Sequence, residues 1–220
     1  MLIESHFRHR GLREAVQLDF YAAEAGPMGV AGPQVSAAVR EMICQRGISY
    51  HPEHQVRSVD PSARRISFAN GALVGYDLLL FVPPHHAPAV VRQAGLVAES
   101  GWIPVDRHTL GTSYPSVFAI GDVTTIPLKL GKPLPKAGVF AHGQADVVAR
   151  NLAYAWTGRG RPDCFNGHGA CFLEAGDGKA GYGSGDFYAE PTPQVRLHPP
   201  SRWWHLAKVL FEKRWLRAWT

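Results

Sequence analysis

The segment from Val117 to Asp122 reads VFAIGD, and the segment from Leu134 to Phe140 reads LPKAGVF. An apolar run that stops at Gly-Asp reads as a buried strand delivering one carboxylate to the C-terminal edge of a sheet, where open α/β sheets bind ligands. Gly121 would let a ligand approach the backbone, and Asp122 could accept hydrogen bonds from polyol hydroxyls. Gly-Asp after a strand also reads as an ordinary turn, so the second segment carries weight. There Lys136, Ala137 and Gly138 open a helix. Its first N–H groups lack partners within the helix and carry partial positive charge, which suits an acceptor that becomes negative on reduction.

The elements that would position these residues can be read from periodicity. VQLDFY (16–21) is a strand, and GPQVSAAVREMICQRG is a Pro-started amphipathic helix stopped by Gly47. Short strands follow in ISYHP, QVRSVD, RISFANG and LVGYDLLLFV, the last apolar from Leu78 to Val82 as a buried strand would be, with a hairpin turn at Asn70-Gly71. PPHHAP (83–88) is a breaker-rich crossover, and GWIPVDRHTLGTSYPSVFAIGD is a hairpin-like excursion ending in the strand described above. Val139, Phe140, Ala145, Val148, Leu152 and Tyr154 mark the apolar face of a long helix ending near Gly158. A strand pair lies around ACFLEA and KAGYGSGDFYAE, and Ser201 caps a C-terminal helix.

Composition narrows the function. With 220 residues and 45% hydrophobic content, the chain can bury a sizeable core. Of the formal charge of +5, four units lie after residue 200, where Arg202, Lys208, Lys213, Arg214 and Arg217 face only Glu212. No basic, aromatic-interleaved module occurs elsewhere, so no nucleic-acid partner is expected. Three cysteines, Cys44, Cys164 and Cys171, make neither a disulfide scaffold nor a Cys-x-x-Cys pair. His51/His54 and His85/His86 lie in Pro-containing loops that do not assemble a full ligand set, and no metal site is expected. The N-terminus carries charges where a secretory signal needs an apolar run, and no apolar stretch approaches about 18 residues.

TSYPSVFAIGDVTTI followed by LPKAGVFAHGQADVVARNL resembles the second flavin-binding segment of the two-dinucleotide-domain flavoprotein disulfide reductases. Within them it is most similar to the branch of sulfide:quinone oxidoreductase and flavocytochrome c sulfide dehydrogenase. The resemblance implies an α/β, Rossmann-like fold. It places a partial second dinucleotide-binding domain over 1–82, the C-terminal part of an FAD-binding domain over 83–158, and an interface or membrane-associating region over 159–220. It implies that Gly121 and Asp122 bind the FAD ribityl chain and that Lys136, Ala137 and Gly138 face the flavin pyrimidine edge. Cys171 then occupies the position of a redox-active cysteine that attacks sulfur, although a small buried hydrophobe is its bland reading. Cys44 reads as core, and Cys164 has no counterpart.

In the tail, Trp203, Ala207, Phe211, Trp215 and Trp219 recur every fourth residue. They form one helical stripe, read either as core packing or as an interfacial surface. With Phe172, the aromatics Phe211, Trp215 and Trp219 are the candidates for a quinone path or membrane contact. The implied activity is FAD-dependent oxidation of sulfide or a related sulfur donor. Electrons would pass to a quinone or cytochrome at a peripheral membrane site, the membrane side being open. An NADH:quinone oxidoreductase is the alternative enzyme, although the glycines of AGPMGVAG (Gly26, Gly29, Gly32) are wrongly spaced for a nicotinamide nucleotide. The Gly-x-Gly-x-x-Gly opening of an FAD domain is missing. The chain therefore also reads as the C-terminal half of such an enzyme, as a homo-oligomer component, or as a truncated, non-catalytic subunit that does not bind FAD alone.

Overall fold

The computed structural model describes residues 1–219; the side chain of Trp219, part of the expected aromatic stripe, lies outside the described residues. The order of elements is mixed α/β. Helix α1 (Leu2–His9) precedes strand β1 (Asp19–Tyr21), helix α2 (Pro33–Cys44) and strands β2 (Ser49–His51), β3 (Val56–Asp60), β4 (Arg65–Phe68) and β5 (Leu73–Gly75). Helix α3 (Ala89–Gln93), strands β6 (Ile103–Pro104) and β7 (Thr124–Thr125), and the long α4 (Gly138–Thr157) follow. The chain ends with strands β8 (His168–Gly176), β9 (Lys179–Asp186) and β10 (Gln194–Ser201) and helix α5 (Arg202–Trp219). Contacts divide the chain into two compact units. The first comprises Met1–Val82, Phe172–Gly183 and the residues from Arg196 onward; the second comprises Pro83–Cys171 and Ser184–Val195.

In the first unit β1 and β2 pair in parallel, Phe20 opposite Tyr50, with α2 as the crossover between them. Pro33 opens α2 with its φ already set, and its buried face is Val35, Val39 and Ile43 at helical spacing. Gly47, at φ +66°, turns the chain out of the helix. The meander β3–β4–β5 is antiparallel, and Asn70 Oδ1 accepts the Ala72 N–H across the expected turn at Gly71.

The apolar run 78–82 differs from its expectation. It forms no strand, and Leu78 and Val82 are 73% and 76% exposed. A strand apolar on both faces is buried only within a sheet that is covered on both sides, and none of the described residues pairs with this run to place it in one.

In the second unit an aromatic platform seats α4. Phe140 meets Phe187 and Phe165 edge-to-face, with ring centroids 5.1 and 6.3 Å away, and Phe165 meets Tyr188 at 5.7 Å. Gly167 and Gly169 allow this: a Cβ at either would fall 2.3 Å from the Tyr188 ring or 2.4 Å from the Phe140 ring. Tyr188 donates to the Arg107 carbonyl at 2.7 Å, and burial pushes its phenol up to about 12. The buried residues of α4 are Phe140, Gln144 and Val147, whereas Val139 and Tyr154, expected on the apolar face, are exposed. The buried stripe is therefore turned by one residue, because the platform contacts Phe140. Gly158, left-handed at φ +64°, ends the helix as expected.

Asp177 closes the β8–β9 hairpin and anchors α1. Asp177 and Gly178 both have positive φ, 57° and 63°, as a two-residue hairpin turn requires. The Asp177 carboxylate accepts from Arg8 Nη2 at 2.6 Å and from Ser5 Oγ at 2.9 Å. Those bonds hold its carboxyl at about 2, below the usual carboxylate range. Nearby, the buried Glu4 carboxylate accepts from Arg8 at 2.9 Å and Arg46 at 2.8 Å. A depressed folded value stabilises the protein above the unfolded value of about 3.9, and the contribution disappears as pH falls through the folded value. Asn tolerates the left-handed turn, so Asp177→Asn is expected to lower stability at pH 7 and to flatten its loss between about pH 4 and 2. Urea titrations across that range measure this, and parallel wild-type and variant curves would contradict it.

Candidate functional site

Gly121 ends the extended segment 117–120 at φ +70°, and a Cβ there would lie 3.2 Å from the Ala141 Cβ of α4. Two features thus demand glycine, a left-handed backbone and a close helix. The segment itself was expected as a buried strand, and the structure corrects this. It pairs along one edge only, Thr112 N–H donating to Val117 O at 2.9 Å and Ala119 N–H to Leu110 O at 3.1 Å. Val117 and Ile120 stay exposed, whereas Ala119 between them is buried.

The backbone polar groups of the turn that follows are engaged by its surroundings. Gly121 N–H donates to Gln144 Oε1 at 2.6 Å, and Gly121 O accepts from Thr124 Oγ1 at 2.8 Å. Lys136 Nζ donates to Asp122 O at 2.6 Å and Thr124 O at 2.8 Å, and it sits 3.6 Å from the centre of the Trp102 ring. Burial pulls the Lys136 amine below its ordinary value, opposed by the nearby Asp122 charge. The Asp122 side chain remains exposed and accepts no hydrogen bond from the described residues.

Helix α4 starts at Gly138, and no side chain caps its N-terminus. Gly121, Asp122, Pro135, Lys136, Ala137 and Ala141 line one concavity. Four of the five residues named from the sequence, Gly121, Asp122, Lys136 and Ala137, line it, and Gly138 begins the adjoining helix. Sequence reasoning missed Gln144 and Trp102. Gln144 could have been found as the one polar residue on the buried stripe of α4; nothing near Trp102 marks it.

Cys171 lies exposed on β8. Side chains alternate along a strand, so Cys171 shares a face with Gly169, which packs on Phe140 in the first turn of α4. Phe172 and Glu174 take the opposite face, where Phe172 meets Phe211 of α5 at 6.1 Å and Glu174 accepts from Lys208 at 3.1 Å. Glu212 and Glu174 hold the Lys208 amine above its ordinary value.

Phe172 continues to Tyr182 at 5.2 Å, Tyr182 stacks on Trp204 at 4.5 Å, and Phe211 meets Trp215 at 5.9 Å. The expected stripe is thus shifted. Trp204 packs inward on Tyr182, whereas Trp203 is 76% exposed. Cys44 and Cys164 are exposed, against the expectation that Cys44 is core. Among the described residues no cluster of three His, Cys, Asp or Glu forms a metal site, and no helix is long and apolar enough to cross a membrane.

A family model described as pyridine nucleotide-disulphide oxidoreductase matches residues 18–145, more than half of the chain. The chain belongs to the pyridine nucleotide-disulphide oxidoreductase family. Within this family, the mitochondrial sulfide:quinone oxidoreductase of Mus musculus is 26% identical over 197 residues, covering 86% of this chain and 42% of that protein. Its counterpart in Schizosaccharomyces pombe is 27% identical over 184 residues, covering 81% and 39%. The sulfide:quinone oxidoreductase structure from Aquifex aeolicus superposes with a TM-score of 0.83 at 24% identity, covering 98% of this chain and 52% of that one. That match bears out the α/β fold of this oxidoreductase family. The chain spans about half or less of the length of these relatives.

The double demand for glycine at position 121 can be tested. Gly121→Ala meets both the left-handed strain, about 1–2 kcal/mol, and the Ala141 contact. Gly131→Ala meets the strain alone, since its φ is +82° with open space around it. The first is expected to lower the urea midpoint more than the second; equal shifts would remove the contact with α4 from the explanation.

Proposed function

We propose that this chain forms the flavin-facing and acceptor-facing portion of an FAD-dependent oxidoreductase that oxidises sulfide or a related sulfur donor and reduces a quinone or cytochrome. The observation that carries this reading is the concavity where the exposed Asp122 carboxylate and the uncapped start of α4 meet. These groups fit FAD. A carboxylate that accepts no hydrogen bond from the described residues suits ribityl hydroxyls, and Gly121 carries no side chain to block the approach. The N–H groups at Gly138, with their partial positive charge, suit the pyrimidine edge of the ring. Ala137 leaves that helix start open. When bound, FAD would supply two-electron acceptor chemistry.

The remaining roles belong to the protein. Cys171 would hold the donor sulfur: forming an S–S bond from its thiol to sulfide-level sulfur releases two electrons and the thiol proton, and bound FAD would be the acceptor of that electron pair. The thiol stands on the face of β8 that looks toward the first turn of α4. Phe172, Phe211 and Trp215, joined by Tyr182 and Trp204, supply a cluster of mutually tilted aromatic rings, a face of which a quinone ring can stack against. The exposed Trp203, Leu206 and Leu210 with Arg214 and Arg217 give α5 the character of an interfacial helix at an anionic membrane surface. The similarity to sulfide:quinone oxidoreductases supports the choice of sulfur donor and acceptor.

Flavin fluorescence on titration with FAD tests the carrying observation. Asp122→Ala is expected to weaken binding about tenfold or more, the loss of a charge-assisted hydrogen bond of about 1.5–3 kcal/mol. Unchanged affinity would remove Asp122 from the site. Cys171→Ser is expected to abolish sulfide-dependent quinone reduction while FAD binding persists. Retained turnover would instead favour an electron donor that needs no thiol.

A further inference from the structure

We propose that Gln144 and Trp102 are positioning residues that lock the Gly121–Asp122 turn from two sides, so that its carboxylate alone is left for a ligand. The inference rests on the flavin reading above and assigns roles to two residues outside that reading.

Gln144 is 2% exposed on a helix whose other buried residues are apolar. A buried amide must find partners, and Gln144 takes one outside its own helix. Its Oε1 accepts the N–H of Gly121, the one residue of the turn with a left-handed backbone. That bond therefore fixes the turn relative to α4; it adds nothing to α4 itself.

On the other side, an ammonium placed only for solubility would extend into water. Lys136 instead donates to the carbonyls of Asp122 and Thr124 while the Trp102 face covers it. The ring substitutes for lost water by its negative face. Thr124 Oγ1 holds the Gly121 carbonyl, which completes the set. With these groups consumed, the turn cannot rotate to bond its own carboxylate to the backbone, as Asp60 and Asp106 do in their turns. Lys136 thus serves through its side chain as a clamp, and its contribution to a ligand comes from where it holds Asp122.

The test compares acceptor-removing and acceptor-keeping variants of the full chain. Gln144→Met keeps the volume without the acceptor, and Gln144→Glu keeps an acceptor. Amide hydrogen exchange at Gly121 is expected to rise tenfold or more in Gln144→Met, to stay near wild type in Gln144→Glu, and to be unchanged in the later turns of α4 in both. Equal exchange in both variants, or none faster than wild type, overturns the role of Gln144.

For the other side, Trp102→Leu is expected to increase several-fold the acylation of Lys136 by an amine-selective reagent, read by mass spectrometry. Trp102→Tyr should restore protection, and indifference to the ring overturns that role. FAD titration of the same proteins separates the two readings. Faster Gly121 exchange with weaker FAD binding supports both. The same exchange pattern with FAD affinity unchanged across wild type and variants keeps the clamp and removes the flavin reading.

Discussion

The hydrogen bond from Gly121 N–H to Gln144 joins a loop to a helix, and most of the second unit is arranged so that it can form. Its length depends on where α4 lies, which the edge-to-face contacts of Phe140 with Phe165 and Phe187 decide. Those rings approach because Gly167 and Gly169 have no side chains. A sequence of small constraints thus runs from two glycines on one side of the aromatic layer to a third glycine on the other. Each is a packing condition, and together they specify where one carboxylate stands.

The same dependence explains why the strand containing Cys171 matters. Gly169 and Cys171 share a face of β8, so the packing of Gly169 on Phe140 also sets the direction in which the thiol points. The neighbouring Phe172 and Glu174 bind α5 by an aromatic contact and an ion pair. One strand therefore presents the Cys171 thiol on one side and Phe172 with its aromatic neighbours on the other, and a one-residue slip in register would exchange them.

Local signals were legible in the sequence wherever the backbone itself was constrained. Pro33 fixes its φ, Gly47, Gly71 and Gly158 permit a left-handed backbone, and Asn70 and Ser201 accept local N–H bonds; each acts within its own few residues and stands at an element boundary. The Gly-Asp and Lys-Ala-Gly segments were legible for the same reason, since a turn and a helix start need those residues locally. Burial was not. Leu78–Val82 and Val117–Ile120 have the composition of interior strands, but composition records what a segment is suited to bury against: the described residues pair no strand with the first and only one edge of the second, where Ala119 alone is buried. The rotation of the α4 stripe and the exchange of Trp203 for Trp204 followed from ring contacts made far along the chain, which periodicity does not encode.

The exposed run 78–82 also bears on how the polypeptide behaves outside its ordinary surroundings. Five consecutive apolar residues with unpaired backbone form a template for self-association, the kind of edge that nucleates aggregates when molecules meet. Asp77 stands on one side, and Pro83 and Pro84 on the other lack the N–H that a growing strand would need. These flanking residues act as gatekeepers: they leave the segment free to accept a proper neighbour yet shorten the stretch over which a wrong one could align. Self-association through this segment is thus opposed by three residues that lie outside the candidate site.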